Sequence, residues 1–255
     1  MTEHVSRILV VVPTYNERDS IPVALERLLE HVPDADVLVV DDGSPDGTGE
    51  LVEKIAAAES DAASSREIHV MHRSGKLGLG TAYLQGFGWA LERGYRTVVE
   101  MDADGSHRAE DLPRLLARTG DSDLVIGSRW MRGGRVVNWP WHREVLSRCA
   151  NLYTQVLLGF GVKDGTAGFR AYSADLLRRL PLDEVASQGY GFQVDMTWRS
   201  YLAGARIVEV PIVFVERTAG VSKMSGGIIG EAMVSVARWG LAHRAGQIRA
   251  LFGRR

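Results

Sequence analysis

The sequence contains a single cysteine, Cys149, which excludes an internal disulfide bond and is typical of proteins from reducing compartments. No apolar run approaches the roughly 18 residues that a membrane-spanning helix needs. The apolar run near the N-terminus is short and ends at Pro13, so we expect no secretory signal. These absences predict a globular protein with neither a disulfide scaffold nor a membrane-spanning segment.

Neither sign of charge is in large excess. Thirty Lys and Arg residues face 32 Asp and Glu residues, and the formal net charge of −2 argues against a nucleic-acid partner. A chain of 255 residues with 45% hydrophobic composition can bury a large core without disulfide bonds or structural metal ions. Length and composition therefore predict an ordinary globular protein with one large domain, and two small domains are the alternative.

Short segments rich in β-branched residues alternate with longer segments of helical periodicity. The predicted strands are residues 7–12, 36–41, 67–72, 97–102 and 122–127, with a later strand in 206–217 and helices near 192–203 and from 226 onward. This alternation predicts an α/β fold with a mainly parallel central sheet and helices on both faces. Ligands of such sheets bind beyond the carboxyl ends of the strands, so we expect the functional residues there.

Two carboxylates, Asp102 and Asp104, follow the fourth predicted strand in the segment MDADGSH. The period of two along a strand places them on one side, where their like charges call for a cation between them. Oxygen ligands at an open strand end suit Mg²⁺ or Mn²⁺ with a diphosphate. The segment predicts a divalent metal site, and the alternative is a solvated turn in which an aspartate caps the next helix.

Two other loops resemble known ligand-binding patterns without matching their context. DGSPDGTGELVE (42–53) has the residue types of a calcium-binding loop, but it follows a predicted strand instead of a helix. We therefore interpret it as a strand-to-helix turn with Asp41 and Asp42 facing a ligand. In SGKLGLGTA (74–82), Lys76 precedes the glycines, so the spacing of a phosphate-binding loop is absent. The glycines are expected to allow a tight turn, and a phosphate contact of Lys76 stays open.

Nine segments occur in one order over nearly the whole chain. They are VVPTYNE, VVDDGSPDGT, GLGTAYLQGF, MDADGSH, IGSRW, VNWPW, DGTAGFRAY, GFQVDM and ERTAGVSKM. Together they resemble the polyprenol- or dolichol-phosphate mannosyltransferases of glycosyltransferase family 2, which have a GT-A fold. The composition, rich in Ala, Arg, Gly and Val, is similar to that of actinobacterial members.

The resemblance implies a role for each residue at a matching position. The donor, GDP-mannose, would be bound by Pro13, Tyr15, Glu17, Val40, Asp41, Asp42, Asp102, Ala103, Asp104, Arg129, Arg217 and Lys223. The metal, Mg²⁺ or Mn²⁺, would be held by Asp102, Asp104 and Ser106, the last standing where many relatives carry Gln. The acceptor phosphate would be bound by Arg129 and Arg143, and the catalytic residues would be Asp104, Arg129, Arg217 and Lys223.

The implied activity is an inverting transfer of mannose to a polyprenyl (dolichyl-type) phosphate, which gives β-mannosyl phosphoryl polyprenol. A phosphate monoester is already anionic at neutral pH, so its attack needs neutralisation of charge more than a strong base. Two alternatives stay open at this point. One is glucosyl transfer from UDP-glucose to the same kind of lipid, and the other is an inactive scaffold subunit with a GT-A fold.

The segment 226–255 is predicted to form a basic amphipathic helix after a catalytic domain of residues 1–225. Its charged residues are Arg238, Arg244, Arg249, Arg254 and Arg255 against Glu231. Such a helix is typical of a membrane interface, where Trp139 and Trp141 would join it, and a packing helix is the alternative. Because the acceptor's lipid stays in the bilayer, we expect a peripheral protein on the cytoplasmic face of the cell membrane. The resemblance also allows a separate integral membrane partner protein.

Overall fold

The computed structural model describes residues 8–61, 66–185, 190–216 and 226–252. Its strands are β1 (Ile8–Thr14), β2 (Ala35–Asp41), β3 (Ile68–His72), β4 (Thr97–Glu100), β5 (Leu124–Ser128), β6 (Arg135–Val137), β7 (Arg170–Ser173), β8 (Ile207–Pro211) and β9 (Val213–Val215). Its α-helices are α1 (Ile21–His31), α2 (Thr48–Asp61), α3 (Leu79–Glu92), α4 (Leu112–Leu116), α5 (Trp141–Leu158), α6 (Ala174–Arg179), α7 (Tyr190–Leu202) and α8 (Gly226–Phe252). Within these ranges, no helix combines the length and the apolar character needed to cross a bilayer.

The central sheet has seven strands in the order β3-β2-β1-β4-β7-β5-β8, and β6 pairs with β9 in a second sheet. All pairs in the large sheet are parallel except those that β7 makes with β4 and β5. The predicted α/β fold with a mainly parallel sheet is confirmed. The five strands expected in the first half of the chain are all present, with ends shifted by a residue or two.

Apolar layers cover both faces of the large sheet. On β1, Leu9 and Val11 belong to one layer and Val10 and Val12 to the other, because successive side chains of a strand point to opposite faces. None of the four is more than 2% exposed. Helices α3, α6 and α7 supply the first layer, and α1, α2 and α4 supply the second. The expected cover of helices on both faces is thus confirmed.

The second half of the chain departs from the sequence pattern most clearly at β7 and in the segment 206–217. The pattern does not predict β7, which has only four residues and whose partners β4 and β5 lie far away along the chain. The segment 206–217, expected to form one strand, instead contributes β8 and β9 to different sheets. Pro211 ends β8 because proline has no N–H to continue a ladder.

Helix α3 approaches β1 closely through a glycine. A Cβ atom at Gly86 would lie 2.5 Å from Cγ1 of Val11, so only a residue without a side chain fits there. Gly88 lies two positions further along the same helix, and a Cβ atom there would meet no atom within 4 Å. The two glycines therefore occupy the same helix for different reasons.

We predict opposite effects of alanine at these two positions. Gly86→Ala should lower the free energy of unfolding by about 1–3 kcal/mol, because the methyl group must displace Val11 from β1. Gly88→Ala should raise it by about 0.5–1 kcal/mol, because alanine has the higher helix propensity. Urea denaturation measures both values. Equal changes in the two variants would contradict the predicted contact between α3 and β1.

Candidate active site

Three neighbouring parallel strands end at one edge of the sheet. Strand β1 lies between β2 and β4, and the loops that follow these strands carry Tyr15, Asp42, Asp102 and Asp104. The structure therefore brings the predicted donor and metal residues of the first half of the chain to a single edge. Lys76 joins them there, with its Nζ atom 4.6 Å from the centre of the Tyr15 ring.

The segment after β1 is tied to the start of α1. The N–H of Glu17 donates to Thr48 Oγ1 (3.1 Å), and its carboxylate accepts from the hydroxyl of Ser20 (2.6 Å). The carbonyl of Glu17 accepts the N–H groups of Ser20 and Ile21, which begin the helix. In this arrangement Glu17 organises the loop that presents Tyr15.

The two aspartates at the end of β2 are both bonded within the protein. Asp41 accepts the hydroxyl of Thr14 (3.0 Å) and the N–H of Ser44 (2.9 Å), and it is 2% exposed. Asp42 forms a buried ion pair with Arg73 and accepts the N–H of Gly78 (3.2 Å). The strand-to-helix turn predicted here is confirmed, since α2 begins at Thr48.

Pro13 and Val40 lie within the sheet itself. They are register partners in the β1–β2 ladder, and the Val40 side chain is fully buried in the core. The Val40 side chain therefore belongs to the hydrophobic core beneath the loops. Any donor contact at this position would involve the main chain.

The Asp102–Asp104 loop presents two partly exposed carboxylates. The hydroxyl of Tyr83 donates to Asp102 Oδ1 (3.1 Å), and the N–H of Ser106 donates to Asp104 Oδ1 (3.0 Å). Ala103 and Ser106 are buried, which leaves the aspartate side chains as the groups facing outward. Burial, reinforced by the charge of Asp102, raises the pKa of Tyr83 well above its ordinary value, so the hydroxyl stays a donor.

This donor set fits a hard divalent cation that takes only part of its ligands from the protein. Two carboxylates one residue apart supply oxygen ligands, and a nucleoside diphosphate would supply others. Across the described parts of the chain, no cluster of three or more His, Cys, Asp or Glu side chains could hold a metal ion by itself. The loop therefore suits a cation that is bound together with a diphosphate.

A buried polar network lies directly behind this loop. Gln193 of α7 donates to Glu100 (2.8 Å), and Arg170 donates to the carbonyls of Gly165 (2.8 Å) and Ala167 (2.6 Å). Burial raises the pKa of Glu100 to about 7, although the charge of Arg170 acts in the opposite direction. Glu100, two residues before Asp102, thus carries less negative charge at neutral pH than an exposed glutamate.

His107 is a residue of this loop whose role the sequence did not indicate. Its Nδ1 atom accepts the N–H of Asp102 (3.0 Å), which requires the imidazole proton to be on Nε2. The ring stacks on Phe169 at 5.1 Å and meets the edge of Phe214 at 5.6 Å, and the side chain is buried. His107 therefore closes the loop from Asp102 to His107 and anchors it to the core. In the sequence, only its place at the end of MDADGSH linked His107 to the two aspartates.

Arg129 lies at the end of β5 in a buried ion pair. Its Nε and Nη2 atoms donate to the two carboxylate oxygens of Asp164 (2.8 and 2.7 Å), and Nη2 also donates to Thr166 (2.8 Å). Arg129 is 4% exposed and Asp164 is fully buried. The guanidinium group also lies 5.4–5.5 Å from the ring centres of three aromatic residues. These are Trp130, Trp139 and Phe214.

Arg143 belongs to the same cationic and aromatic cluster. It lies 4.3 Å from the ring centre of Trp139 and pairs with both carboxylate oxygens of Glu216 (2.6 and 2.5 Å). Its side chain is 21% exposed, so solvent reaches this pair but not the pair of Arg129. Arg217 and Lys223, predicted as catalytic, lie outside the described residues.

Comparison with known proteins decides the family. The model of the family "Glycosyl transferase family 2" matches residues 9–180. The chain belongs to glycosyltransferase family 2. The resemblance predicted from the sequence motifs is thereby confirmed.

Two curated members of family 2 match nearly the whole chain. The "Undecaprenyl-phosphate mannosyltransferase" of Micrococcus luteus is 57% identical over 247 residues, which cover 97% of this chain and 99% of that protein. The "Polyprenol monophosphomannose synthase" of Mycolicibacterium smegmatis is 53% identical over 246 residues, which cover 96% and 91% respectively.

Solved structures of glucosyl-3-phosphoglycerate synthase from Mycobacterium tuberculosis share the fold. The complex with Mn²⁺, UDP-glucose and phosphoglyceric acid has a TM-score of 0.64 and 23% identity, covering 94% of this chain and 80% of that chain. The complex with Mn²⁺, UDP and glucosyl-3-phosphoglycerate has a TM-score of 0.63 and 21% identity. The predicted GT-A fold of this family 2 chain is confirmed.

We predict that His107 positions the Asp102–Asp104 loop of this family 2 protein through its acceptor atom. His107→Phe keeps the stack on Phe169 but leaves the Asp102 N–H without a partner, at a cost of about 1–3 kcal/mol. The half-saturating Mn²⁺ concentration, measured by titration in the presence of GDP, should rise by about tenfold. His107→Asn keeps an acceptor near the position of Nδ1 and should shift the same value by no more than about threefold.

Thermal unfolding of both variants provides the control for this prediction. A role limited to packing would make His107→Asn, which loses the aromatic ring, the more damaged variant in both stability and Mn²⁺ binding. That order of effects would contradict the positioning role.

Proposed function

We propose that this chain transfers mannose from GDP-mannose to a polyprenyl phosphate with inversion, which gives β-mannosyl phosphoryl polyprenol. The observation that carries this proposal is the 53–57% identity to two polyprenyl-phosphate mannosyltransferases over 96–97% of the chain. The glucosyl-transferring structures share only 20–23% identity, a level that supports the fold alone. The enzyme class is therefore polyprenyl-phosphate mannosyltransferase.

The chemistry requires neutralisation of charge more than proton abstraction. The acceptor is a phosphate monoester that is already anionic, so its oxygen can attack the sugar C1 without a strong base. Asp102 and Asp104 would hold Mg²⁺ or Mn²⁺, and this cation supplies charge neutralisation for the leaving diphosphate. The mannosyltransferase's own task is to hold donor and acceptor phosphates in line on opposite sides of the sugar.

Donor binding would use the loops after β1 and β2. The Tyr15 ring with Lys76 beside it provides an aromatic and cationic surface for the nucleotide. Because the Asp42–Arg73 pair is buried and bonded to Gly78, this part of the site is organised before the donor arrives. GDP-mannose as the donor, and Arg217 and Lys223 as further phosphate contacts, remain part of the proposal.

The acceptor phosphate would approach from the side of Arg143. Arg129 is buried, and its Nε and Nη2 atoms donate to Asp164 and Thr166, so we assign it to positioning the Trp139 and Phe214 rings. Arg143 is the more exposed of the two arginines, and its partner Glu216 immediately precedes residue 217. We propose that Arg143 exchanges Glu216 for the acceptor phosphate when the lipid binds.

The lipid substrate places the enzyme at a membrane. We propose peripheral association with the cytoplasmic face of the cell membrane, since the polyprenyl chain of the acceptor stays in the bilayer. A separate integral membrane partner stays a prediction from the family resemblance.

We predict that activity depends on a divalent cation held by Asp104. Excess EDTA should abolish mannose transfer, and Mn²⁺ or Mg²⁺ should restore it. Asp104→Asn should lower kcat by at least about a hundredfold, because a poorly held cation would no longer stabilise the charge that develops on the leaving diphosphate, and losing one such contact costs roughly 3 kcal/mol. The same variant should also weaken GDP binding in the presence of Mn²⁺. Asp121→Asn, at the amino end of β5, is the matched control and should leave both values unchanged. Full turnover in EDTA would contradict the metal site.

We predict that Arg143, and not the nearby Arg148, binds the acceptor phosphate. Arg143→Gln should raise KM for a short, water-soluble polyprenyl phosphate about tenfold, because a charge-assisted hydrogen bond contributes about 1.5–3 kcal/mol. Arg148→Gln removes the same charge from the same helix, where Arg148 lies 4.3 Å from the Trp130 ring centre and pairs with Glu144. It should change KM by less than about twofold. Equal effects of the two variants would point to helix packing instead of phosphate binding.

A further inference from the structure

Large exposed apolar side chains are concentrated on two helices. Of the 13 in the described residues, five lie on α5 and three on α8. They are Trp141, Val145, Leu146, Leu152, Val156, Met233, Val234 and Leu241. Scattered exposed apolar residues are normal, but a contiguous patch indicates a binding surface.

On α5 these side chains form a row. At about 100° per residue, Trp141, Val145, Leu152 and Val156 fall within about 60° of one another and extend over roughly 22 Å of helix. They are 76%, 49%, 60% and 60% exposed. The opposite side of the helix is buried and partly polar, with Asn151 bonded to Thr166. The helix therefore turns its most apolar side outward, which is the reverse of the usual pattern.

Helix α8 lies against α5 and extends this row. The hydroxyl of Tyr153 donates to the carbonyl of Met233 (3.0 Å), and Arg244 donates to the carbonyl of Val156 (2.5 Å). A Cβ atom at Gly240 would lie 2.5 Å from the carbonyl oxygen of Leu157, so the two backbones approach closely. Because Val236 is buried in the core, α8 also turns its exposed residues outward. We call the exposed residues of the two helices the α5–α8 face.

Charge at the edges of this face is mainly positive. Helix α8 carries three arginines and one glutamate in its sequence, and Arg238 and Arg244 are exposed. On α5, Arg148 is exposed. Its charge is partly balanced by an ion pair with Glu144. Apolar residues flanked by arginines suit the surface of an anionic bilayer, where apolar side chains contact the acyl chains and arginines contact the headgroups.

The face also begins next to the proposed acceptor site. Trp141 and Arg143 both lie in the first turn of α5, on nearly opposite sides of the helix, and the Arg143 guanidinium packs on Trp139. A lipid phosphate at the bilayer surface beside the amino end of α5 would therefore have Arg143 within about one helix turn.

We propose that the α5–α8 face docks onto the surface of a bilayer containing anionic lipids, with α5 as well as α8 in the interface. This inference rests on the proposed function for the reason that the enzyme needs a membrane, but it assigns the contact to a specific surface. A second copy of the chain is the less favourable occupant, because a symmetric contact would bring the arginines of the two faces together.

Substitutions test this proposal better than removal of α8. Val236 is 2% exposed in the core, and the Trp198 ring of α7 lies 5.0 Å from that of His243, so removal of α8 would also damage the fold. Val145→Gln/Val156→Gln changes only exposed side chains of α5. Val23→Gln on α1 is the matched control, because Val23 and Val145 are both 49% exposed.

The test is co-sedimentation of the full chain with vesicles of phosphatidylglycerol and phosphatidylcholine, without donor or acceptor. The wild type and Val23→Gln should bind alike, and Val145→Gln/Val156→Gln should bind about tenfold more weakly because two apolar side chains leave the interface. The double variant should keep its activity on a short, water-soluble polyprenyl phosphate and lose activity on a long acceptor in vesicles. Transfer by the wild type to the short acceptor tests the proposed function separately from the vesicle result.

Three outcomes would overturn the proposal. The first is vesicle binding by the double variant at the wild-type level. The second is an equal loss of binding in Val23→Gln. The third is a change from dimer to monomer in the double variant without vesicles, which would identify a second copy of the chain as the occupant.

Discussion

Parallel pairing of β1 with β2 on one side and β4 on the other is the constraint on which the site depends. Parallel strands end at the same edge, so the loops that follow them must meet there. This pairing collects carboxylates from the ends of β2 and β4 within one region. Asp41 is buried and Asp42 is paired with Arg73, so neither carboxylate faces outward. Asp102 and Asp104 are therefore the outward-facing pair.

Burial and ion pairing also distinguish the two arginines of the site. Arg129 is locked by Asp164 among aromatic rings, whereas Arg143 has a carboxylate partner that solvent can reach. A buried ion pair of this kind gives little net stability but holds its surroundings in one geometry. An exposed pair is worth little and can be exchanged for another anion. In the proposed function, this difference in burial separates Arg129, which would shape the site, from Arg143, which would bind the acceptor phosphate.

The first half of the fold was predictable because its information is local. Buried β-branched runs marked the five early strands, and Asp102 and Asp104 stood out through their spacing at a strand end. Contacts between distant residues were not predictable. Arg129 meets Asp164 across 35 positions and Arg143 meets Glu216 across 73, and neither spacing carries a periodic signal. The same holds for β7, whose antiparallel place between β4 and β5 depends on partners remote in sequence.

The lone cysteine acquires a use from its place on α5. Cys149 is exposed, lies four residues after Val145 and three before Leu152, and falls beside the apolar row. Because the sequence holds no other thiol, a maleimide dye or nitroxide would attach at this position alone. The native chain can therefore be labelled at a single site without any substitution. Fluorescence quenching or spin relaxation of a label at residue 149 would measure the depth of α5 below the lipid headgroups.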